Sequence, residues 1–219
     1  MIKNIIFDFD GVIVDSEILV ARAFSKYLES ININFSENEF SNYTGKKTIQ
    51  VIDELSVKFK IQNQKKFFED IMNIANNIYS TDLKPVSGVR NFLEKNNKKI
   101  FIGSNSMKKR ILLGLKKTHL DNFFPENKIF SFDLVKNPKP FPDIYLDAIN
   151  THNLNKNETI IVEDSAVGVQ SGVAAGIKVI GLTAGEHWHQ GRSKIELIDA
   201  KAFCIVDSYD DLLDRIDSL

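Results

Sequence analysis

From Lys84 onward the chain alternates short apolar runs with stretches of helical periodicity, and few folds accept that pattern. The runs are Lys99–Gly103, Lys128–Phe130, Thr159–Val162, Ile177–Gly181 and Phe203–Val206. Helical patterns lie between and after them, over Ser106–Lys117, Asp143–Ile149, Gly168–Ala175 and Asp210–Ile216. Such alternation predicts right-handed βαβ units, hence an α/β fold with a parallel sheet and helices on both faces. A further apolar run, Ile5–Phe7, opens the chain and is expected to share that sheet. The segment between, from Ser16 to Leu83, is helical throughout and reads as an all-helical insertion after the first strand, with Lys84-Pro85 as the returning hinge. The expected organisation is therefore a core of residues 1–15 and 84–219 and a helical cap of residues 16–83.

Open parallel sheets bind ligands at the carboxyl ends of their strands, so chemistry is expected to cluster at those ends. The first run ends in Asp8-Phe9-Asp10-Gly11. A buried strand does not end in two bare carboxylates, because desolvating them is costly. They must meet water, a cation or a substrate, and the period of two puts them on one side. The run from Lys99 ends in Gly103-Ser104-Asn105-Ser106 at an expected helix start, where free N–H groups and hydroxyls form an anion site. Lys139 sits between Pro138 and Pro140, with Pro142 beyond, in a stiff loop that suits a point charge for phosphate. The run from Thr159 ends in a second acidic pair, Glu163-Asp164. Acids at two strand ends of one parallel sheet suit a hard cation such as Mg²⁺.

Composition narrows the partners. The net charge of −1 and sparse aromatics beside the lysines argue against nucleic acid or an anionic membrane surface. The basic residues Lys108, Lys109, Arg110, Lys116 and Lys117 read as a solvated helix face. No apolar stretch spans a membrane and no signal segment is evident, and the one cysteine, Cys204, reads as a buried thiol. The expectation is a cytoplasmic monomer acting on a small molecule. The loop Gly185-Glu186-His187-Trp188-His189 is expected near the mouth of the site, its histidines lacking metal-ligand spacing.

Together these motifs resemble those of the haloacid dehalogenase-like superfamily of phosphotransferases. The resemblance rests on Asp8-Phe9-Asp10-Gly11-Val12 with Asp15-Ser16, on Ser104-Asn105, on Lys139, and on Glu163-Asp164-Ser165 with Gly168. It covers the whole chain and implies a Rossmann-like core with an inserted helical cap. That cap type belongs to the subgroup of β-phosphoglucomutase and sugar-phosphate phosphatases, and the closest likeness is to 6-phosphogluconate phosphatase-type proteins. By resemblance, Asp8 is the nucleophile that forms an aspartyl-phosphate, and Asp10 is the acid and then the base. Mg²⁺ is implied on Asp8, the Asp10 main-chain carbonyl and Asp164, with Glu163 nearby. Ser104, Asn105 and Lys139 are implied to hold the phosphoryl oxygens.

Asp10 argues for phosphoryl transfer over carbon–halogen chemistry, since the dehalogenases of the superfamily lack that second acid. The mutase carries a His ten residues after its acid, where this chain has Val20, and an Arg after the first cap glycine, where it has Lys46. Both departures favour a phosphatase over a mutase, and the four intact motif residues argue against a non-catalytic phosphometabolite-binding protein. Lys26, Lys46 and Lys47 show no surroundings suited to a Schiff-base amine. Candidate cap contacts to substrate are Glu17, Tyr43, Thr44, Lys46 and Lys47. The four motifs fix the reaction; the cap is expected to choose the molecule.

Overall fold

A computed structural model describes residues 1–40, 43, 48–188 and 192–219. The chain divides into two compact units, Met1–Asp15 with Lys84–Leu219, and Ser16–Leu83.

The larger unit is built on six parallel strands: β1 (Asn4–Phe7), β2 (Lys99–Ser104), β3 (Ile129–Ser131), β4 (Thr159–Glu163), β5 (Lys178–Leu182) and β6 (Cys204–Val206), in the order β3-β2-β1-β4-β5-β6. β1 lies in the middle, with Ile6 beside Phe101 and Ile161, and all four of its residues are buried. Burial on both faces explains why the central strands read as continuous apolar runs rather than alternating ones. Alternate residues feed two cores. Ile6, Phe101, Ile161 and Val179 pack with α7 (Asp143–Thr151), α8 (Ala166–Ala174) and α9 (Ile195–Asp199). On the other face Phe7 meets the ring edges of Phe92 and Phe124, and Phe92 meets Tyr209, which brings in α5 (Val89–Lys95) and α10 (Tyr209–Asp217). α6 (Lys108–Lys117) follows β2 and buries Ile111 and Leu115.

The sequence pattern gives every strand to within about one residue, but not α5 or α9. Those helices have seven and five residues, too few turns for a readable period. α6 begins at Lys108, not Ser106, because the Ser106 N–H donates to the Ser104 side chain in a turn that precedes the helix. Cys204 is half-buried rather than buried, since β6 is an edge strand.

The smaller unit comprises α1 (Glu17–Ser30), α2 (Glu37–Phe40), α3 (Thr48–Phe59) and α4 (Gln64–Asp82). It has its own core, in which Phe24, Leu28, Phe35, Ile52, Leu55, Phe67 and Ile71 are packed. The points where the chain leaves and re-enters the larger unit are tied together: the Asp15 N–H donates to the Lys84 carbonyl at 2.9 Å and the Val86 N–H to the Ile13 carbonyl at 3.0 Å. Among the described residues no helix is long and apolar enough to cross a membrane.

Candidate active site

The carboxyl ends of β1, β2 and β4, with the loop before α7, bring Asp8, Lys139, Glu163 and Asp164 together. Lys139 is the centre. Its side chain is 3% exposed, and its Nζ donates to Asp8 Oδ1 at 2.7 Å and to Glu163 Oε1 at 2.6 Å. The proline-flanked loop is clamped onto the end of β2: the Lys139 N–H donates to Asn105 Oδ1 at 2.9 Å, and Asn105 Nδ2 donates to the Lys139 carbonyl at 3.2 Å. At the other end Asn137 donates its N–H and its side-chain amide to Asp143 Oδ1. The lysine is thus held by two anchors in a loop that its prolines already restrict.

Glu163 is fully buried and its carboxylate is engaged on both oxygens. Oε1 accepts from Lys139 and from the Tyr145 hydroxyl at 2.9 Å. Oε2 accepts from the Asp164 N–H, the Ser165 N–H and the Ser165 hydroxyl. Gly168 makes room for this carboxylate, since a Cβ there would stand 1.7 Å from Glu163 Oε1. Asp164 turns the other way. Its Oδ2 lies 2.9 Å from Nε2 of the buried His187. Gly11, in the left-handed region at φ +77°, leaves space for both, because a Cβ there would come within 2.0 Å of Asp164 Oδ2 and 2.9 Å of the His187 ring. Asp15 pins the His187 loop by accepting the Glu186 N–H on both oxygens. Arg192 stacks on Trp188, 3.8 Å from the ring centroid.

The electrostatics follow from this crowding. Burial pushes the Asp8 carboxyl well above the ordinary carboxylate range; Lys139 pulls it down, and Glu163 and Asp164 push it further up. Burial likewise lifts Asp164, with Glu163 adding to the rise while Lys139 and Arg192 oppose it. Burial works to lower Lys139, yet Asp8 and Glu163 together carry it above its usual value. Burial and the two nearby carboxylates also raise the Tyr145 hydroxyl, which keeps it a donor. Three buried carboxylates therefore face one ammonium. Each of Asp8, Glu163 and Asp164 offers an oxygen, and these oxygens lie within 4.8 Å of one another. A surplus of two negative charges among hard oxygen donors fits one divalent cation of the Mg²⁺ class. Because both Glu163 oxygens are already hydrogen-bonded, Asp8 and Asp164 are the better-placed donors, and Glu163 braces the cluster.

The two acids of the first motif have different surroundings. β1 ends at Phe7, so the two-residue period does not extend to Asp10. Asp10 Oδ1 accepts from Arg110 Nη2 at 3.2 Å and its Oδ2 is engaged by the Ser106 hydroxyl. Arg110 thus leaves the solvated basic face that the sequence suggested. Ser104 is buried at the end of β2, and its Oγ accepts the Ser106 N–H at 3.0 Å, which leaves its own O–H to donate. The Asn105 side chain serves the Lys139 loop, while its main-chain N–H makes no hydrogen bond among the described residues. Sequence reasoning passed over Tyr145, took Arg110 for part of a solvated face, and put His187 in a loop near the mouth of the site without giving it a partner. Tyr145 carried a usable signal: a tyrosine on the apolar face of α7 must find a partner for its hydroxyl.

In the smaller unit, Glu17 is the exposed first residue of α1. Tyr43 packs its ring against Phe35 and Phe40, so it belongs to that unit's aromatic cluster. Thr44, Lys46 and Lys47 lie outside the described residues, as does His189.

Comparison with known proteins gives the same picture. The chain is 27% identical over 188 residues to the 6-phosphogluconate phosphatase of Escherichia coli, covering 85% of each chain. It is 29% identical over 185 residues to a phosphorylated carbohydrates phosphatase of Thermotoga maritima, covering 81% of this chain and 83% of that one. Among solved structures, a conserved haloacid dehalogenase-like protein of unknown function from Agrobacterium tumefaciens superposes with a TM-score of 0.89 at 28% identity, over 100% of this chain and 99% of the other. The profile of the haloacid dehalogenase-like hydrolases matches residues 5–182, a span that runs from β1 to the last residue of β5 and includes Asp8, Asp10, Ser104, Lys139, Glu163 and Asp164. The chain therefore belongs to the haloacid dehalogenase-like hydrolase family.

Proposed function

We propose that this protein is a divalent-cation-dependent phosphatase that hydrolyses small phosphorylated metabolites, sugar phosphates or sugar-acid phosphates, through a phosphoryl group carried on Asp8. The observation that carries the reading is the buried cluster of Asp8, Glu163 and Asp164 around Lys139. The activities for which the two bacterial relatives are named suggest the substrate class.

Asp8 and Asp164 would hold the cation, with the Asp10 main-chain carbonyl. Bound there, Mg²⁺ would neutralise charge between a carboxylate nucleophile and an anionic phosphoryl group. The Ser104 hydroxyl, the Asn105 N–H and the third proton of Lys139 Nζ would hold the phosphoryl oxygens. An Asp8 oxygen attacks phosphorus, the ester P–O bond breaks, and Asp10 gives its proton to the departing sugar oxygen. In the second half a water oxygen attacks phosphorus, Asp10 takes the water proton, and the bond to Asp8 breaks to release phosphate. Glu163, held by five donors, keeps Lys139 and the Asp164 main chain in place throughout. Val20, where the mutase has its histidine, weighs against internal transfer.

The deciding experiment is phosphate release from a panel of phosphorylated sugars and sugar acids in the presence of Mg²⁺. Turnover of at least one such ester is expected; no release across the panel would refute the proposal. An arm with β-glucose 1-phosphate, assayed for glucose 6-phosphate, separates a phosphatase from a mutase.

The cation has a signature that needs no substrate. Burial raises the Asp8 and Asp164 carboxyls in the cation-free fold, so the folded chain binds their protons more tightly than the unfolded chain does. Their stabilisation is full at or below ordinary carboxylate pKa values and is lost as pH rises through their raised values. Lys139, also raised, loses its contribution only in the alkaline range. A cation that binds the ionised acids should therefore stabilise more at pH 8 than at pH 5. At a hundredfold excess over Kd the gain is about 2.7 kcal/mol, or roughly 5–10 °C in Tm for a chain of this size. Melting curves with Mg²⁺ and with chelator at the two pH values measure it. The lowered carboxyls Asp133 and Asp207 affect both arms alike and cancel. An equal increment at both pH values would contradict the assignment.

A further inference from the structure

The grip on Asp10 comes from one short stretch of chain, the turn after β2 and the start of α6. Ser106 lies in the turn after β2, and Arg110 lies four residues on, in the first turn of α6, and both reach the same carboxylate. The start of α6 is itself fixed. The Lys108 N–H donates to Asp133 Oδ1 at 3.1 Å, and Ile111 just beyond is fully buried. The Ser106 N–H is tied to Ser104 Oγ, so the same turn connects the phosphoryl pocket to Asp10. Each Asp10 oxygen thus has its own donor, although the side chain is 17% exposed and that of Arg110 39%. A carboxylate that followed β1 without such partners would be free to change rotamer in solvent.

We propose that Ser106 and Arg110 are positioning residues for proton transfer by Asp10: they fix the carboxylate where it meets the leaving-group oxygen. This rests on the reading of Asp10 as the acid and base. Neither residue need touch the substrate or bear on phosphorus. Their effect should therefore depend on how badly the leaving group needs a proton. An alkoxide leaving from 6-phosphogluconate needs one, whereas p-nitrophenolate leaves without it. Misplacement of a reacting group by about 1 Å costs on the order of a hundredfold, and general acid catalysis is worth roughly 10²–10⁴-fold.

The test compares kcat/KM for 6-phosphogluconate and p-nitrophenyl phosphate, a quantity that covers the steps up to departure of the leaving group. Arg110→Gln and Ser106→Ala should each lower the ratio of the two values by about tenfold or more, and Asp10→Asn should lower it further. In the Asp10→Asn background the extra loss from Arg110→Gln should vanish, because residues that act through one group are not additive. Arg110→Lys should recover part of the ratio, and melting curves of all variants check folding. If Asp10→Asn shifts the ratio while Arg110→Gln and Ser106→Ala lower both substrates equally, this inference fails and the reading of Asp10 stands. If Asp10→Asn leaves the ratio unchanged, the reading of Asp10 fails and the inference falls with it.

Discussion

Asp8→Asn is expected to abolish phosphate release, with a loss of at least about four orders of magnitude in kcat. The amide is nearly the same shape but is no nucleophile. The fold should tolerate it. Burial and two neighbouring acids already push the Asp8 carboxyl towards its neutral form in the cation-free protein, so the substitution removes a charge the site holds at a cost. Lys139 keeps its contact with Glu163 at 2.6 Å. A Tm close to wild type should therefore accompany the loss. Protein quenched in acid during turnover should carry one phosphoryl group in the wild type and none in Asp8→Asn, as read by mass. Turnover near the wild-type rate, or a phosphoryl group still present on the variant, would remove Asp8 from its role.

Lys139→Met should damage both activity and stability. The methionine matches the length of the lysine stem but leaves Asp8 and Glu163 facing each other without a cation, at 8% and 0% exposure. Breaking a buried pair by removing one partner costs about 3–5 kcal/mol, which is roughly 6–20 °C in Tm for a chain of this size. The sign of the pH dependence follows from Asp8. Its raised carboxyl can take up a proton at low pH and relieve the repulsion, and it loses that option as pH rises through the raised value. The deficit measured in chelator should therefore be larger at pH 8 than at pH 5. Activity should fall by about 10²–10³-fold or more, the usual effect of losing one group that stabilises a developing oxyanion. An unchanged Tm at pH 8 would mean that the acids do not depend on this lysine for their charge.

The limits of reading the site from sequence are visible in single residues. Asp8, Lys139 and Asp164 stand out because a charge at the end of an apolar run, or between prolines, contradicts its surroundings. Tyr145 signals only that its hydroxyl needs a partner; its ring suits the apolar face of α7, and nothing near it in the chain points to Glu163. Arg110 has the spacing of a solvated lysine-rich face, and nothing local distinguishes it from Lys109. Its partner is Asp10, a hundred residues earlier in the chain. His187 lies five residues beyond the end of β5, in a loop with no readable period; it meets Asp164 because Asp15 pins that loop.

What the sequence determined by itself was the set of local conflicts: apolar runs that had to be strands, acids that could not be buried unpartnered at their ends, and a helical stretch with its own periodicity. Those follow from desolvation and side-chain period, which are properties of neighbouring residues. Only the tertiary structure decided which charge answers which. It put Lys139 between Asp8 and Glu163, turned Asp164 towards His187, and gave Asp10 to Ser106 and Arg110. Parallel pairing of β1 with β2 and β4 brings distant residues to adjacent strand ends, with Asn4 beside both Lys99 and Thr159. At that range no spacing in the chain encodes the partner; packing of the sheet does.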